Sequence, residues 1–188
     1  MSGADVDSTF RVVAEQPAWS GRRLEVSTVD VEAPDGSHHQ REVLRHPGAV
    51  GIVPLHHDGT VTLVRQYRAA IDRDIWEIPA GLRDVEGEPT DETARRELAE
   101  EAGLEAAHVD HLATFHNSPG FSDEAVVIYL ATGLTDVPDD RQGIEEQHML
   151  VDRVPVPQAL AMVDEGRITD AKTVIALLAL ARRHVATD

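Results

Sequence analysis

Residues 95–103 read RRELAEEAG, from Arg95 to Gly103. They crowd Glu97, Glu100 and Glu101 into five positions of a chain whose formal net charge is already −17. The stretch has helical periodicity. At about 100° per residue, Ala94, Leu98 and Ala102 form one apolar stripe, and the three glutamates lie together on its flank as i, i+3 and i+4 neighbours. Like charges at that spacing cost roughly 0.2–0.5 kcal/mol per pair. A solvated acidic face is one reading of the cluster. A hard divalent cation is the other, because Mg²⁺ or Mn²⁺ takes oxygen ligands and tolerates several carboxylates together with phosphate oxygens. Ions held in this way activate water and neutralise phosphate charge.

The rest of the chain narrows the choice. Its 188 residues suffice for one well-buried domain with a small appendage. The 17 basic residues are outnumbered by 34 acidic ones, and such a surface repels nucleic acid and anionic lipid. An anionic small substrate binds only where local arginine or a divalent cation reverses that field. The absence of cysteine excludes disulfides, thiolate zinc sites and cysteine nucleophiles. The histidines include the pairs His38-His39 and His56-His57, but none has the i, i+4 spacing of a helical zinc site, so they read as loop or surface residues. The first ten residues, MSGADVDSTF, lack a basic region followed by an apolar run and do not read as a signal peptide. The longest apolar run, near Val174 to Ala181, is too short to span a bilayer. A cytoplasmic protein with no nucleic-acid or membrane partner is expected.

Along the chain, strands are predicted at Phe10–Ala14, Leu24–Val31 and about Gln40–Leu44, with PDGS (Pro34–Ser37) as a hairpin turn. Three short strands bury little by themselves. Two further strands, Ala49–Leu55 and Thr60–Tyr67, are joined across HHDG, and a short apolar segment, Ile75–Ala80, ends in Pro-Ala-Gly. Thr90 is the expected N-cap of a helix with Asp91 and Glu92 in its first turn. That helix runs to Ala102 and stops at Gly103. Strands at His111–His116, Ala125–Ala131 and His148–Asp152 and helices at Pro157–Asp164 and Ala171–His184 complete the pattern, a mixed sheet with helices packed on it.

With the helix placed, a resemblance can be stated. Gly81, Glu88 and RELAEEAGL (Arg96–Leu104) resemble the Nudix box, Gly-x5-Glu-x7-Arg-Glu-apolar-x-Glu-Glu-x-Gly-apolar. Every defined position from Glu88 to Leu104 matches. Six residues rather than five separate Gly81 from Glu88, and VEGEP absorbs the extra one as a looser loop ahead of the carboxylates. The likeness implies an α+β fold, the Nudix-type α/β/α sandwich with a mixed central sheet and a small N-terminal antiparallel β unit. It divides the chain into residues 1–47, a β unit for dimerisation, and residues 48–188, the hydrolase domain. It also implies that Glu97, Glu100 and Glu101 hold two or three Mg²⁺ or Mn²⁺ ions with the backbone carbonyl of Ala80, and that Glu101 is catalytic. Arg96 would orient the acids by ion pairing, and Glu88 and Gly81 would support the loop. Nudix enzymes hydrolyse a nucleoside diphosphate linked to another group, so the box names a reaction class only.

Other stretches are similar to the ADP-ribose pyrophosphatase branch: VRQYR (Val64–Arg68), WEIPAG (Trp76–Gly81) and SPGFSDE (Ser118–Glu124). Pro119 stands fifteen residues after Leu104, as the proline associated with ADP-ribose specificity does. By this likeness Arg65 and Arg68 meet phosphate, and Glu77 reaches a ribose hydroxyl or organises the site. Each has a plainer reading: exposed strand arginines, a surface acid, an ordinary Pro-Gly turn, and Trp76 as core. GIEEQHM (Gly143–Met149) resembles the branch's mobile acidic loop, which makes Glu145 or Glu146 the general base, unless both are solvated loop acids. In that branch the N-terminal strands pack across a two-fold axis. The expectation is therefore a homodimer with Trp19, Arg22 or Arg23 near the adenine of the neighbouring subunit. In the alternative Trp19 fills a local core. The implied reaction converts ADP-ribose and water to AMP and ribose 5-phosphate. Its rivals are another nucleoside diphosphate sugar, an NADH-like dinucleotide, or a non-catalytic ADP-ribose sensor.

Overall fold

The computed structural model describes residues 9–21, 24–138 and 144–185, without the side chains of 145, 146, 184 and 185. It forms two compact units.

In the first unit, strands β1 (Arg11–Ser20), β2 (Glu25–Glu32) and β3 (His38–Arg45) make an antiparallel sheet in that order. The β2–β3 turn places Gly36 at φ 78, which a glycine adopts without cost. β1 runs six residues past the expected Ala14, because β2 offers it partners along its whole length. A register shift between Pro17 and Trp19 lets an edge strand carry the proline, which has no N–H for the ladder. The unit also takes in Ser118–Glu124 from far along the chain. Leu44 donates its N–H to the Phe121 carbonyl at 2.7 Å, and Arg45 bridges Glu15 and Asp123.

The second unit holds the helices. A mixed four-stranded sheet has the order β7 (Ala80–Leu82), β4 (Ala49–Pro54), β9 (Ala125–Asp136), β8 (Leu104–His116), with β4 and β9 parallel. A separate antiparallel sheet has the order β10 (Leu150–Pro155), β5 (Thr60–Arg68), β6 (Arg73–Glu77). Successive residues of a strand point to opposite faces, and the core divides accordingly. Val50, Ile52, Tyr129 and Ala131 pack with Ala94 and Leu98 of helix α1 (Thr90–Ala102). Val53, Ile128, Leu63 and Ile78 pack with Ala159 and Met162 of α3 (Val156–Asp164) and with Leu177 and Leu180 of α4 (Ala171–Val185). A short helix α2 (Ile144–Gln147) precedes β10. Helix layers thus flank sheet on either side in an α+β arrangement.

Three expectations are corrected. The N-cap of α1 is Pro89, extended at φ −60 and ψ 144, with no side-chain cap; Thr90 is already helical, and its hydroxyl shares a 2.5 Å hydrogen bond with the Tyr129 hydroxyl. β8 begins at Leu104 rather than His111, since β9 extends to Asp136 and supplies the partners. His56 does lie in a loop, between β4 and β5, but it is buried there rather than on the surface, with Nε2 2.8 Å from the Thr62 hydroxyl. Gly103 ends α1 in the left-handed conformation, φ 62, with its N–H on the Ala99 carbonyl. Among the described residues no helix is long and apolar enough to cross a membrane.

Candidate active site

The segment from Glu77 to Gly81 is pinned at successive residues. The Ile78 N–H donates to the Thr173 hydroxyl at 2.8 Å, and the Pro79 carbonyl accepts the Ile52 N–H at 2.9 Å. The Ala80 N–H donates to Glu101 Oε2 at 2.9 Å. At Gly81 the carboxylate of Glu97 lies directly over the α-carbon, and a Cβ there would overlap it. Glycine is required at this position for close approach.

Two of the three clustered glutamates of α1 are buried rather than solvated, and Glu100 is partly exposed. Glu97 is 9% exposed and Glu101 4%, whereas isolated carboxylates are rarely buried so far. Arg96 compensates Glu97 and its neighbours: Nη1 donates to Glu97 Oε1 at 2.7 Å and to Glu100 Oε2 at 3.4 Å, and Nη2 to Glu88 Oε2 at 3.3 Å. Burial works against the guanidinium charge, but the bond to Glu88 and the charges of Glu97, Glu88 and Glu100 more than offset it and raise its pKa. Glu88 is held below the usual carboxylate range by its hydrogen bonds to Arg96 and to the Thr93 hydroxyl. The longer loop before Glu88 closes with Gly87 at φ 78 and the Glu88 N–H on the Val85 carbonyl.

As arranged, no three acids or histidines among the described residues converge on a point where one ion would sit. Arg96 draws Glu97 and Glu100 toward itself, and Glu101 faces the Ala80 N–H. The chemistry of the donor set nevertheless fits a hard cation, which takes carboxylate oxygens of this kind. The cradle over Gly81 brings one of those carboxylates against the backbone.

A second charged group lies at the end of β6. Glu77 is completely buried. Its two oxygens accept Arg68 Nε and Nη2 at 2.6 and 2.7 Å, a bidentate pair, and Oε2 also accepts Lys172 Nζ. Burial by itself would raise the Glu77 pKa, but the Arg68 bond and the Lys172 and Arg68 charges lower it overall. The plainer reading of Glu77 as a surface acid is overturned. The charge of Glu101 acts on Arg68 as well, which places the guanidinium within electrostatic reach of α1. Arg65 is elsewhere: it points to the other side of β5 and pairs with the exposed Asp74 at 3.5 Å. Trp76 is partly buried against the α3 and α4 core. Lys172, Asp170 and Thr173 escaped the sequence reading, although one signal was available, since Lys172 is the chain's sole lysine.

In the first unit, Trp19 is 58% exposed and its ring lies over Gly21, so it does not fill a local core. Pro119 occupies a turn in which the Ser118 carbonyl accepts the Phe121 and Ser122 N–H groups at 3.1 and 2.9 Å. Arg22 and Arg23 lie outside the described residues. Glu145 and Glu146 belong to α2, and their side chains lie outside the described residues.

Comparison with known proteins decides the family. The model of the NUDIX domain matches residues 45–177. The chain belongs to the NUDIX family. This NUDIX chain is 36% identical over 167 residues to the ADP-ribose pyrophosphatase of Bacillus subtilis (strain 168), covering 89% of this chain and 90% of that one. It is 39% identical over 171 residues to the ADP-ribose pyrophosphatase of Mycobacterium tuberculosis, covering 91% and 83%. Among solved structures, one titled as an ADP compounds hydrolase superposes with a TM-score of 0.80 over 95% of both chains at 22% identity. That likeness supports the fold.

Proposed function

We propose that this NUDIX protein hydrolyses the diphosphate of ADP-ribose, adding water across the P–O–P bridge to release AMP and ribose 5-phosphate. The observation that carries the reading is the set of buried acids on α1. Arg96 and the Ala80 N–H hold them, within electrostatic reach of an arginine on β5. The two relatives named for ADP-ribose hydrolysis over nearly the whole chain support the substrate.

Glu97, Glu100 and Glu101, with the Ala80 carbonyl, would hold Mg²⁺ or Mn²⁺, two or three ions per site. Bound there, the cation supplies charge neutralisation on the diphosphate and a more acidic water. The chain's own residues do the rest. Arg96 orients the acids, and Gly81 leaves room for the Glu97 carboxylate. Arg68 presents its remaining N–H groups to a phosphate oxygen. Glu145 or Glu146 takes the proton of the attacking water. Glu77 serves the proposed substrate contact through Arg68.

A homodimer is part of the reading. β1 is exposed along its entire length, with Val12, Val13 and Trp19 presented to solvent and Phe10 exposed just before it, and long bare edge strands invite pairing. Trp19 and Arg22 are proposed to meet the adenine of the neighbouring subunit's substrate. A cytoplasmic location is part of the same proposal.

Turnover across ADP-ribose, GDP-mannose and NADH with Mg²⁺ or Mn²⁺ tests the activity. The highest kcat/KM is expected for ADP-ribose; a higher value for another member of the panel transfers the assignment to it, and no turnover of any removes it. Sedimentation of the full chain tests assembly, with a monomer of full activity as the contrary result.

A further inference from the structure

The chain contains sixteen arginines and one lysine. That lysine, Lys172, stands in the first turn of α4 with its side chain only 14% exposed. Its ammonium donates to Glu77 Oε2 and, at 2.9 Å, to Asp170 Oδ1. Asp170 is fixed in turn by the N–H and hydroxyl of Thr173, at 2.9 and 2.6 Å. On its other side Glu77 takes two N–H groups of Arg68.

These four side chains balance, two cations against two carboxylates. Without Lys172, one guanidinium would stand beside two carboxylates in a protein that already carries −17. Arg68 would then be neutralised twice over and would offer an anion little attraction. With Lys172 present, Glu77 is shared. Three of the five guanidinium N–H groups of Arg68 are not engaged by Glu77, and the side chain is 41% exposed. A lysine suits the place better than another arginine, being a compact point charge that fits between two carboxylates.

We propose that Lys172 is a positioning residue of the reaction, which takes up the charge of the buried Glu77 and so keeps the Arg68 guanidinium available to a diphosphate. This rests on the reading of Arg68 as a diphosphate contact. Lys172 itself does not touch the substrate.

The test is a double-mutant cycle on the full-length protein, with ADP as the diphosphate probe and binding measured by calorimetry in Mg²⁺ buffer. Lys172→Met weakens ADP about tenfold or more, which is the effect of losing roughly 1.4 kcal/mol. Lys172→Arg recovers part of the loss by restoring the charge. Arg68→Met also weakens ADP, and the double variant is no worse than Arg68→Met, because one residue acts through the other. Lys172→Met that binds ADP like the wild type, with only its melting temperature lowered, overturns the proposal, as do losses that multiply in the double variant.

A second measurement needs no variant. The protein labelled with ¹⁵N-lysine gives a single ammonium resonance in NMR, which ADP shifts; a resonance indifferent to saturating ADP overturns the proposal. A wild type that binds ADP but leaves ADP-ribose intact removes the proposed activity, while the cycle still decides Lys172. A wild type that does not bind ADP overturns the positioning role.

Discussion

The backbone N–H of Ala80 and the carboxylate of Glu101 meet at 2.9 Å across 21 residues of chain. This bond ties the start of β7 to the last turn of α1, beside Gly81. It also gives Glu101 a fixed orientation while the side chain is almost wholly buried.

Glu101→Gln keeps the volume and an oxygen for the Ala80 N–H but removes the charge. It lowers kcat by about 10²–10³-fold, the scale for losing one group that stabilises developing charge, and changes ADP binding far less. Steady-state rates at saturating Mg²⁺ or Mn²⁺ check this; a near-normal kcat would remove Glu101 from the catalytic set.

Gly81→Ala places a methyl group where the Glu97 carboxylate lies. Relief comes only by moving Glu97 or the β7 backbone, and overpacking of this kind costs about 1–3 kcal/mol. The variant melts at lower temperature and binds Mn²⁺ more weakly than the wild type. Calorimetric melting with and without Mn²⁺ reads both effects. An unchanged melting curve would show that Glu97 is not held there in solution.

Glu145→Gln and Glu146→Gln separate the two proposed bases. One of them lowers kcat by about 10²–10⁴-fold, the range for general acid–base catalysis, and the other changes it little. If the double variant keeps most of its activity, the proton goes elsewhere.

His56 confers a pH dependence on stability. Burial lowers its pKa from 6.5, and the Arg153 charge adds to the effect, while Asp58 opposes it. The unfolded chain therefore takes up this proton at a higher pH than the folded one. The stabilisation is fully present above pH 6.5 and is lost as pH falls from there through the lowered value. His56→Gln can still bond the Thr62 hydroxyl and has no proton to gain. Between pH 7.5 and 5.5 the wild type loses more melting temperature than this variant, and parallel losses would count against a buried neutral His56.

Residues 90–104 were readable because their determinants are local. Helical periodicity, three acids at i, i+3 and i+4 and a terminal glycine act within a few turns, and each shows in a short window. Even there, Thr90 misled: it has the chemistry of a cap, but the extended Pro89 is the cap and the helix begins one residue earlier. The burial of His56 in its loop was not legible for a related reason. The residues beside it, His57 and Asp58, are polar, while its burial comes from β5 and the Thr62 hydroxyl.

By itself, then, the sequence determined helix α1 and its clustered carboxylates, together with the hairpin at Gly36; that Gly81 makes room for Glu97 appeared only in the folded chain. The tertiary structure alone decided which distant groups meet. β4 pairs with β9 in parallel, Ser118–Glu124 joins the N-terminal strands, and Lys172 closes on Glu77 from 95 residues away. A buried carboxylate must find cations wherever the fold can bring them. No short window contains both Glu77 and the lysine on α4, so that partnership appears only once sheet and helix are packed together.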